Sequence, residues 1–280
     1  DTFNVIFLGL LALTMLYPFW YELAISLADA ERVAISKVFI WPSAMSLESY
    51  KNVCSDPNIW SGYLWTIIRT VLGTAIALVL GFHYAYVLSK KYFPNRTFWT
   101  AILVFTMFFS GGMIPAYLNV RDLGLYNTLW ALILPGAMSV YNSIICRTAI
   151  QGVPDSLVES AYLDGANDLI IVFRIILPLI MPTIAVLLLY YGVGHWNAWF
   201  NASLYLADND KLPIQNVMRS ILIANSNVLN SAGSDNDMVN QYAEAIKYST
   251  IILTTVPVLC IYPFLQKYFV KGVMVGAVKG

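Results

Sequence analysis

An all-α polytopic membrane protein is the fold class predicted by three observations. Hydrophobic residues make up 59% of the 280 residues and charged residues only 11%, far below the roughly 25% charge of a soluble domain. The apolar residues gather into six runs, each long enough to cross a hydrocarbon core of about 30 Å as a helix, which takes about 20 residues. Those runs lack the period-two alternation of a membrane barrel. The formal net charge is +0, and no Lys/Arg cluster interleaved with aromatics occurs, so nucleic-acid binding has no electrostatic basis. Cys54, Cys146 and Cys260 lie far apart and the histidines are His83 and His195; neither a zinc site nor a disulfide framework is readable.

The first span covers about 5–27 and carries Glu22. It is long and lacks a tidy small-residue cleavage site, which predicts a retained span rather than a signal peptide. Asp1 in place of a methionine predicts that residues precede it. The second span, 63–88, carries Arg69; the third and fourth, 97–118 and 125–146, are uncharged. Residues 175–207 form an apolar run too long for one span of about 17 to 25 residues. The fifth span is therefore placed at 179–205, with Pro178 and Pro182 bending its entry and Gly192 and Gly194 loosening its middle. The sixth is 248–268. Together the six predict a single transmembrane domain over 1–280.

Short loops set the orientation. Ser89–Arg96 holds Lys90, Lys91 and Arg96 without an acid, and the tail adds Lys267, Lys271 and Lys279. Both are predicted cytoplasmic, which puts both termini and 147–174 inside and 29–62 and 208–247 outside. Cys54 is then the one cysteine outside. Charges in lipid must snorkel, face water or find a partner, and Glu22 and Arg69 are candidates to pair. His83 is expected to pack or to hydrogen-bond between helices. Asp208, Asp210, Asp235 and Asp237 lack the order of a calcium loop, and 208–247 has the composition of a solvated loop.

Between the fourth and fifth spans lies the stretch 151–178. Pro154 stands where a helix can begin, and Asp155, Ser156 and Glu159 place acids and a hydroxyl near its positive end. A short helix to about Leu163, a left-handed stop at Gly165 and a second short helix leading into Pro178 are predicted. Those signals suit an ordinary connector equally well. The spacing separates the two readings. Glu159-Ser160-Ala161, three residues, Gly165, nine residues, Ile175, one residue, Leu177 and Pro178 resembles the EAA loop of bacterial ABC importer membrane subunits, E-A-A-x3-G-x9-I-x-L-P, with Ser160 for the first alanine. Phe109–Pro115, Leu123–Pro135 and Gly194–Trp199 are similar to segments of the carbohydrate branch of that family, the maltose-type second permease and its complex-polysaccharide relatives.

The resemblance implies a coupling helix that docks into a cytoplasmic ATPase subunit through Glu159, Ser160, Ala161, Asp164, Gly165, Ala166 and Pro178. It also implies a second, homologous permease, two ATPase subunits that bind ATP and Mg, and an extracytoplasmic substrate-binding protein meeting 208–247. The chain itself would bind no cofactor. Its location would be the bacterial cytoplasmic membrane and its cargo an oligosaccharide, of a uronate or other complex-polysaccharide type.

In the fifth span Tyr190, Tyr191, His195, Trp196, Asn197, Trp199 and Asn201 bring aromatic faces and hydrogen-bonding groups into an apolar helix. A spacing of four puts Tyr191, His195 and Trp199 on one face, with Tyr190, Asn197 and Asn201 on an adjoining one. Two readings fit, an interfacial aromatic belt and the lining or gate of a sugar path. The sequence has no GxxxxGK[ST] phosphate loop and no Ser/His/Asp, paired-Asp or HExxH constellation in its spans, so it is not predicted to be an enzyme. An ion-coupled secondary sugar transporter is the alternative; it would call for intramembrane acids or an inverted repeat, and neither is apparent.

Overall fold

The computed structural model describes residues 2–30, 40–231 and 237–277. Helices are the only extended regular elements among the described residues, and one isolated antiparallel bridge joins Ala28 to Met45. Asp235 and Lys279 lie outside the described residues.

Helix α1 (Thr2–Ser26) is largely apolar, with Glu22 near its end, and buries only its last turn, Ala24 to Ser26. After the short α2 (Glu48–Ser55), α3 (Pro57–Ser89) runs for 33 residues. It opens on a proline, whose missing N–H costs nothing at a first helical position. Helices α4 (Arg96–Phe108) and α5 (Met113–Asp122) occupy the third predicted span, but they are bent by 110°. The cause is local: Gly112 between them has φ 88° and ψ 172°, a backbone region open essentially to glycine alone.

The fourth predicted span also divides, into α6 (Trp130–Ile133), a 3-10 turn at Leu134–Gly136 and α7 (Val140–Gln151). Pro135 cannot donate to the helix ladder and its ring crowds the preceding turn. Then come α8 (Asp155–Leu163), α9 (Asp168–Ile171), a π-turn at Val172–Ile176 and α10 (Leu177–Leu179). Helix α11 (Met181–Asn197) leaves that segment at 81°, the bend that Pro178 and Pro182 predict. Helices α12 (Phe200–Tyr205), α13 (Ile214–Ser231) and α14 (Asp237–Ala277) complete the chain.

Among the described residues, Thr2–Ser26, Pro57–Ser89 and Met238–Ile261 are each long and apolar enough to cross a membrane, and each bent pair counted as one span brings the number to 5. Six is not reached by that measure, because the 12-residue α7 extends only about 18 Å at 1.5 Å per residue.

The chain divides into two compact units, Asp1–Trp65 with Asn209–Cys260, and Thr66–Asp208 with Ile261–Gly280. In the first, Ala24, Ile25, Ala28, Ala30 and Ala245 form the core, with Tyr21, Tyr242 and Tyr248 packed against it. Pro257 lacks the N–H that would bond the Leu253 carbonyl, and the Tyr63 hydroxyl supplies the donor instead at 2.6 Å. An unpaired carbonyl inside a membrane would cost several kcal/mol, so this substitution stabilises the helix.

Gly62 lets the start of α13 approach closely: a Cβ there would lie 3.2 Å from the Ile214 Cα. The helix α13 and the start of α14 together replace most of the solvated loop expected over 208–247. Ile214, Val217, Met218, Ile221 and Leu222 recur at i, i+3, i+4, i+7 and i+8, an amphipathic pattern that composition alone hides. Ile214 and Val217 are buried accordingly.

In the second unit α3 is central. Its buried residues Thr66, Arg69, Gly73, Ala77, Gly81, Ala85 and Leu88 recur every three or four positions and are mostly small, which permits the close helix approach that drives association in lipid. Ala85 joins Cys146, Ile150, Ala161, Ile171, Ile176, Ile180 and Leu187 in one apolar core, which draws on α3, α7, α8 and the segments leading into α11.

Candidate functional site

The stretch 151–180 folds by short-range rules. Asp155 sits in the first turn of α8 after Pro154, favourable to the helix dipole. The other end is a Schellman stop: Gly165 has φ 79°, its N–H donates to the Tyr162 carbonyl at 3.0 Å, and the Ala166 N–H donates to the Ala161 carbonyl at 2.9 Å. A side chain would be strained there by backbone conformation alone, because nothing lies within 4 Å of a Cβ built on Gly165. Asn167 caps α9, its side chain accepting from the Ile170 N–H at 2.9 Å. The π-turn follows from Pro178, since widening the preceding turn relieves the clash between the proline ring and the carbonyl four residues back.

Helix α8 has two unlike sides. Ala161 is buried in the core, and Val158 and Ala166 are partly buried against it. Glu159, Ser160, Asp164 and Gly165 are exposed, as are the apolar Leu157 at 44% and Leu163 at 89%. Leu163, the last residue of α8, is the most exposed large hydrophobic among the described residues. Pro178 is exposed further along the chain.

Polar contacts join α8 to the end of α3 and the loop after it. Lys91 Nζ lies 2.8 Å from Asp155 Oδ2, both side chains largely exposed; the Lys91 bond holds the Asp155 carboxyl below its ordinary pKa. Asp168 Oδ1 accepts from the Tyr162 hydroxyl at 2.6 Å and from the Tyr86 hydroxyl at 2.9 Å. Those bonds, Tyr162's first, lower the Asp168 pKa, and the same bond raises that of Tyr162 to about 12. The Lys90 ammonium sits 4.5 Å from the centre of the Tyr86 ring. None of Tyr86, Tyr162 and Asp168 stands out in the sequence; the i, i+6 offset of Tyr162 from Asp168 matters only because a turn intervenes.

The aromatic residues of the fifth span divide. Tyr191 and Trp196 are buried, Tyr190 and Asn197 are exposed, and His195, Trp199 and Asn201 are partly buried. The shared face inferred from a spacing of four stops at His195, because α11 ends at Asn197 and Ala198 takes an extended conformation with ψ 115°. Tyr191 has a structural task, its hydroxyl accepting from the Ser139 N–H at 3.2 Å at the start of α7. The His195 ring rests on Gly73, where a Cβ would meet its Nε2 at 2.6 Å.

Arg69 is 1% exposed, and its Nη1 donates to the Ala198 carbonyl at 2.7 Å. A cation at a helix C-terminus complements the helix dipole. Within its own unit, Glu22 has Lys247 as a charged neighbour. His83 bonds within its own helix, Nδ1 lying 2.7 Å from the Val79 carbonyl.

A further corner explains the Leu123–Thr128 segment. Gly124 and Asn127 both take positive φ. The Asn127 Oδ1 accepts from the Ala207 N–H at 3.1 Å while its Nδ2 donates to Asp208 at 2.9 Å. This fastens the turn before α6 to the end of α12.

Residues 96–275 match the family described as binding-protein-dependent transport system inner membrane component. The chain is 42% identical over 277 residues to the polygalacturonan/rhamnogalacturonan transport system permease protein YtcP of Bacillus subtilis (strain 168), covering 98% of this chain and 96% of that one. It is 41% identical over 280 residues to protein LplC of the same organism, covering 100% and 95%. Its fold is similar to a chain in the crystal structure of a bacterial ABC transporter involved in the import of the acidic polysaccharide alginate, with a TM-score of 0.86 and 31% identity over 96% of this chain and 95% of that one.

Proposed function

The chain belongs to the binding-protein-dependent transport system inner membrane component family, and from that premise we propose how it works as a non-catalytic permease subunit of a carbohydrate ABC importer. Its cargo is an acidic oligosaccharide of the pectin or alginate class. The support is the agreement between two likenesses, one to a polygalacturonan/rhamnogalacturonan permease and one to an alginate importer.

A single observation carries the mechanism: α8, begun after Pro154, closed by the Gly165 stop and seated on the core by Ala161, presents Leu157, Glu159, Ser160, Leu163, Asp164 and Gly165 outward. That surface fits a cleft on a cytoplasmic ATPase subunit, with Pro178 fixing the bend behind it. Two such subunits bind ATP and Mg. When ATP closes them, α8 moves as a rigid stub and carries the attached helices from a cytoplasm-facing to an outward-facing arrangement. A second permease completes the path, and an extracytoplasmic binding protein delivers the sugar to the side bearing α13. Residues 1–280 act as one permease domain in the cytoplasmic membrane with both termini inside. Tyr190, Tyr191, His195, Trp196, Asn197, Trp199 and Asn201 line or gate the path near the end of α11.

Uptake of a galacturonate oligomer into proteoliposomes holding the complete importer tests this reading. Uptake that needs internal ATP and ignores ionophores supports it. Uptake driven by an ion gradient without ATP contradicts it and favours a secondary carrier.

A further inference from the structure

Helix α8 is continuous in the chain with α7 through 152–154 and with α9 through 164–167, but it has no covalent neighbour in α3. It touches α3 in two ways. Ala161 of α8 and Ala85 of α3 belong to one apolar cluster, with Val158 and Tyr86 packed against that cluster; apolar burial of this kind is non-directional. Hydrogen bonds are directional, and those that bridge the two helices meet on one atom, Asp168 Oδ1, which accepts from Tyr162 of α8 and from Tyr86 of α3. Beside them an open cleft of about 730 Å³ is lined by residues of both the 89–96 loop and α8. The Lys91–Asp155 pair across it is too exposed to fix a position.

We propose that Asp168 is a positioning residue of the transport cycle, tying α8 to α3 by holding the Tyr162 and Tyr86 hydroxyls on one carboxylate oxygen, so that α3 moves with α8. The inference rests on α8 being the ATPase-docking helix. Its consequence is reach. Tyr86 and Arg69 stand on the same helix, roughly 26 Å apart at 1.5 Å per residue. Near Arg69, α3 holds the end of α11 through the Ala198 carbonyl and carries Gly73 under the His195 ring. A shift received at Tyr86 from Asp168, at the start of α9, is thereby delivered along α3 to the aromatic segment beside Arg69 and Gly73 without passing through α10 and α11.

The experiment uses the complete reconstituted importer and reads galacturonate oligomer moved per ATP hydrolysed. Tyr86→Phe, Tyr162→Phe and Asp168→Ala are each expected to lower that ratio by about fivefold, with co-purified ATPase unchanged. The double variant Tyr86→Phe/Tyr162→Phe is expected to match either single one, because breaking one arm already breaks the link. Asp168→Glu, which keeps the carboxylate, is expected to restore part of the ratio. A wild-type ratio in Tyr86→Phe overturns the proposal, and so do losses that multiply in the double variant, which would mark two local defects. The docking premise is read separately. ATPase remaining bound to a Leu163→Asp chain contradicts that premise, whereas a failed Asp168 link shows only in the transport ratio.

Discussion

The stretch 151–180 and the aromatic stretch 190–201 are both rich in conspicuous residues, yet they are organised by different distances along the chain. In the first, backbone conformation is decided by neighbours within about six positions: Gly165 closes a turn onto Ala161 and Tyr162, Asn167 caps Ile170, and Tyr162 reaches Asp168; the remote Tyr86, 82 positions from Asp168, only adds to it. In the second the partners are remote. Tyr191 is held by Ser139, 52 positions away, and the end of α11 by Arg69, 129 positions away. In the proposed mechanism, the part that moves as a rigid lever is the one built from local rules, and the part that rearranges is the one held by contacts from other helices.

That contrast sets the order of the tests. Leu163→Asp should have the largest effect, lowering ATPase association by about 3 kcal/mol, as for a central interface residue. The thermal stability of the chain should not change, because the side chain is 89% exposed; pull-down beside a thermal melt reads both. A stability loss would place Leu163 inside the chain's own packing and blur the distinction between the two stretches.

Gly73→Ala probes the remote kind of contact. With a Cβ placed 2.6 Å from His195 Nε2, overpacking of about 2 kcal/mol is expected in a detergent melt. Adding His195→Ala should recover most of that loss, and no recovery would mean that the His195 ring is not what Gly73 accommodates. Gly165→Ala is expected to cost about 1 kcal/mol, from its positive φ rather than from crowding, and no second-site truncation should rescue it.

The pH response is smaller and has a definite sign. The Asp168 carboxyl titrates below its ordinary value of 3.8, so its bonds contribute fully above that value and are lost as pH falls through the lowered one. An acid titration of wild type should therefore show a loss at low pH that is absent in Asp168→Asn; identical curves would remove the carboxylate from the account. Lys91→Ala should change melting least of all, because its pair with Asp155 is exposed on both sides.

Much of the lever was legible in the sequence because caps, prolines and a left-handed glycine act on adjacent residues. Pro154, Gly165 and Pro178 are enough to place α8, its stop and the bend into α11. Elsewhere, breaks inside apolar runs were harder to read. The 110° bend at Gly112 and the interruption at Pro135-Gly136 lie within segments whose hydropathy alone suggests unbroken spans. The helix α13 was hidden for the opposite reason, its polar residues masking a regular apolar stripe. Which aromatic side chains of α11 face inward was not legible, since that depends on where α11 ends, and Arg69 on another helix marks that point. The role of Asp168 was equally invisible, because its two donors come from different helices.

Crosslinking from position 163 in the native membrane tests the central claim most directly. With Leu163→Cys and a thiol-reactive crosslinker applied to sealed, right-side-out vesicles, the account predicts protection from impermeant reagents and a permeant adduct to an ATP-binding polypeptide. Labelling of position 163 from the outer face, or a permeant adduct that contains no ATP-binding polypeptide, would contradict it.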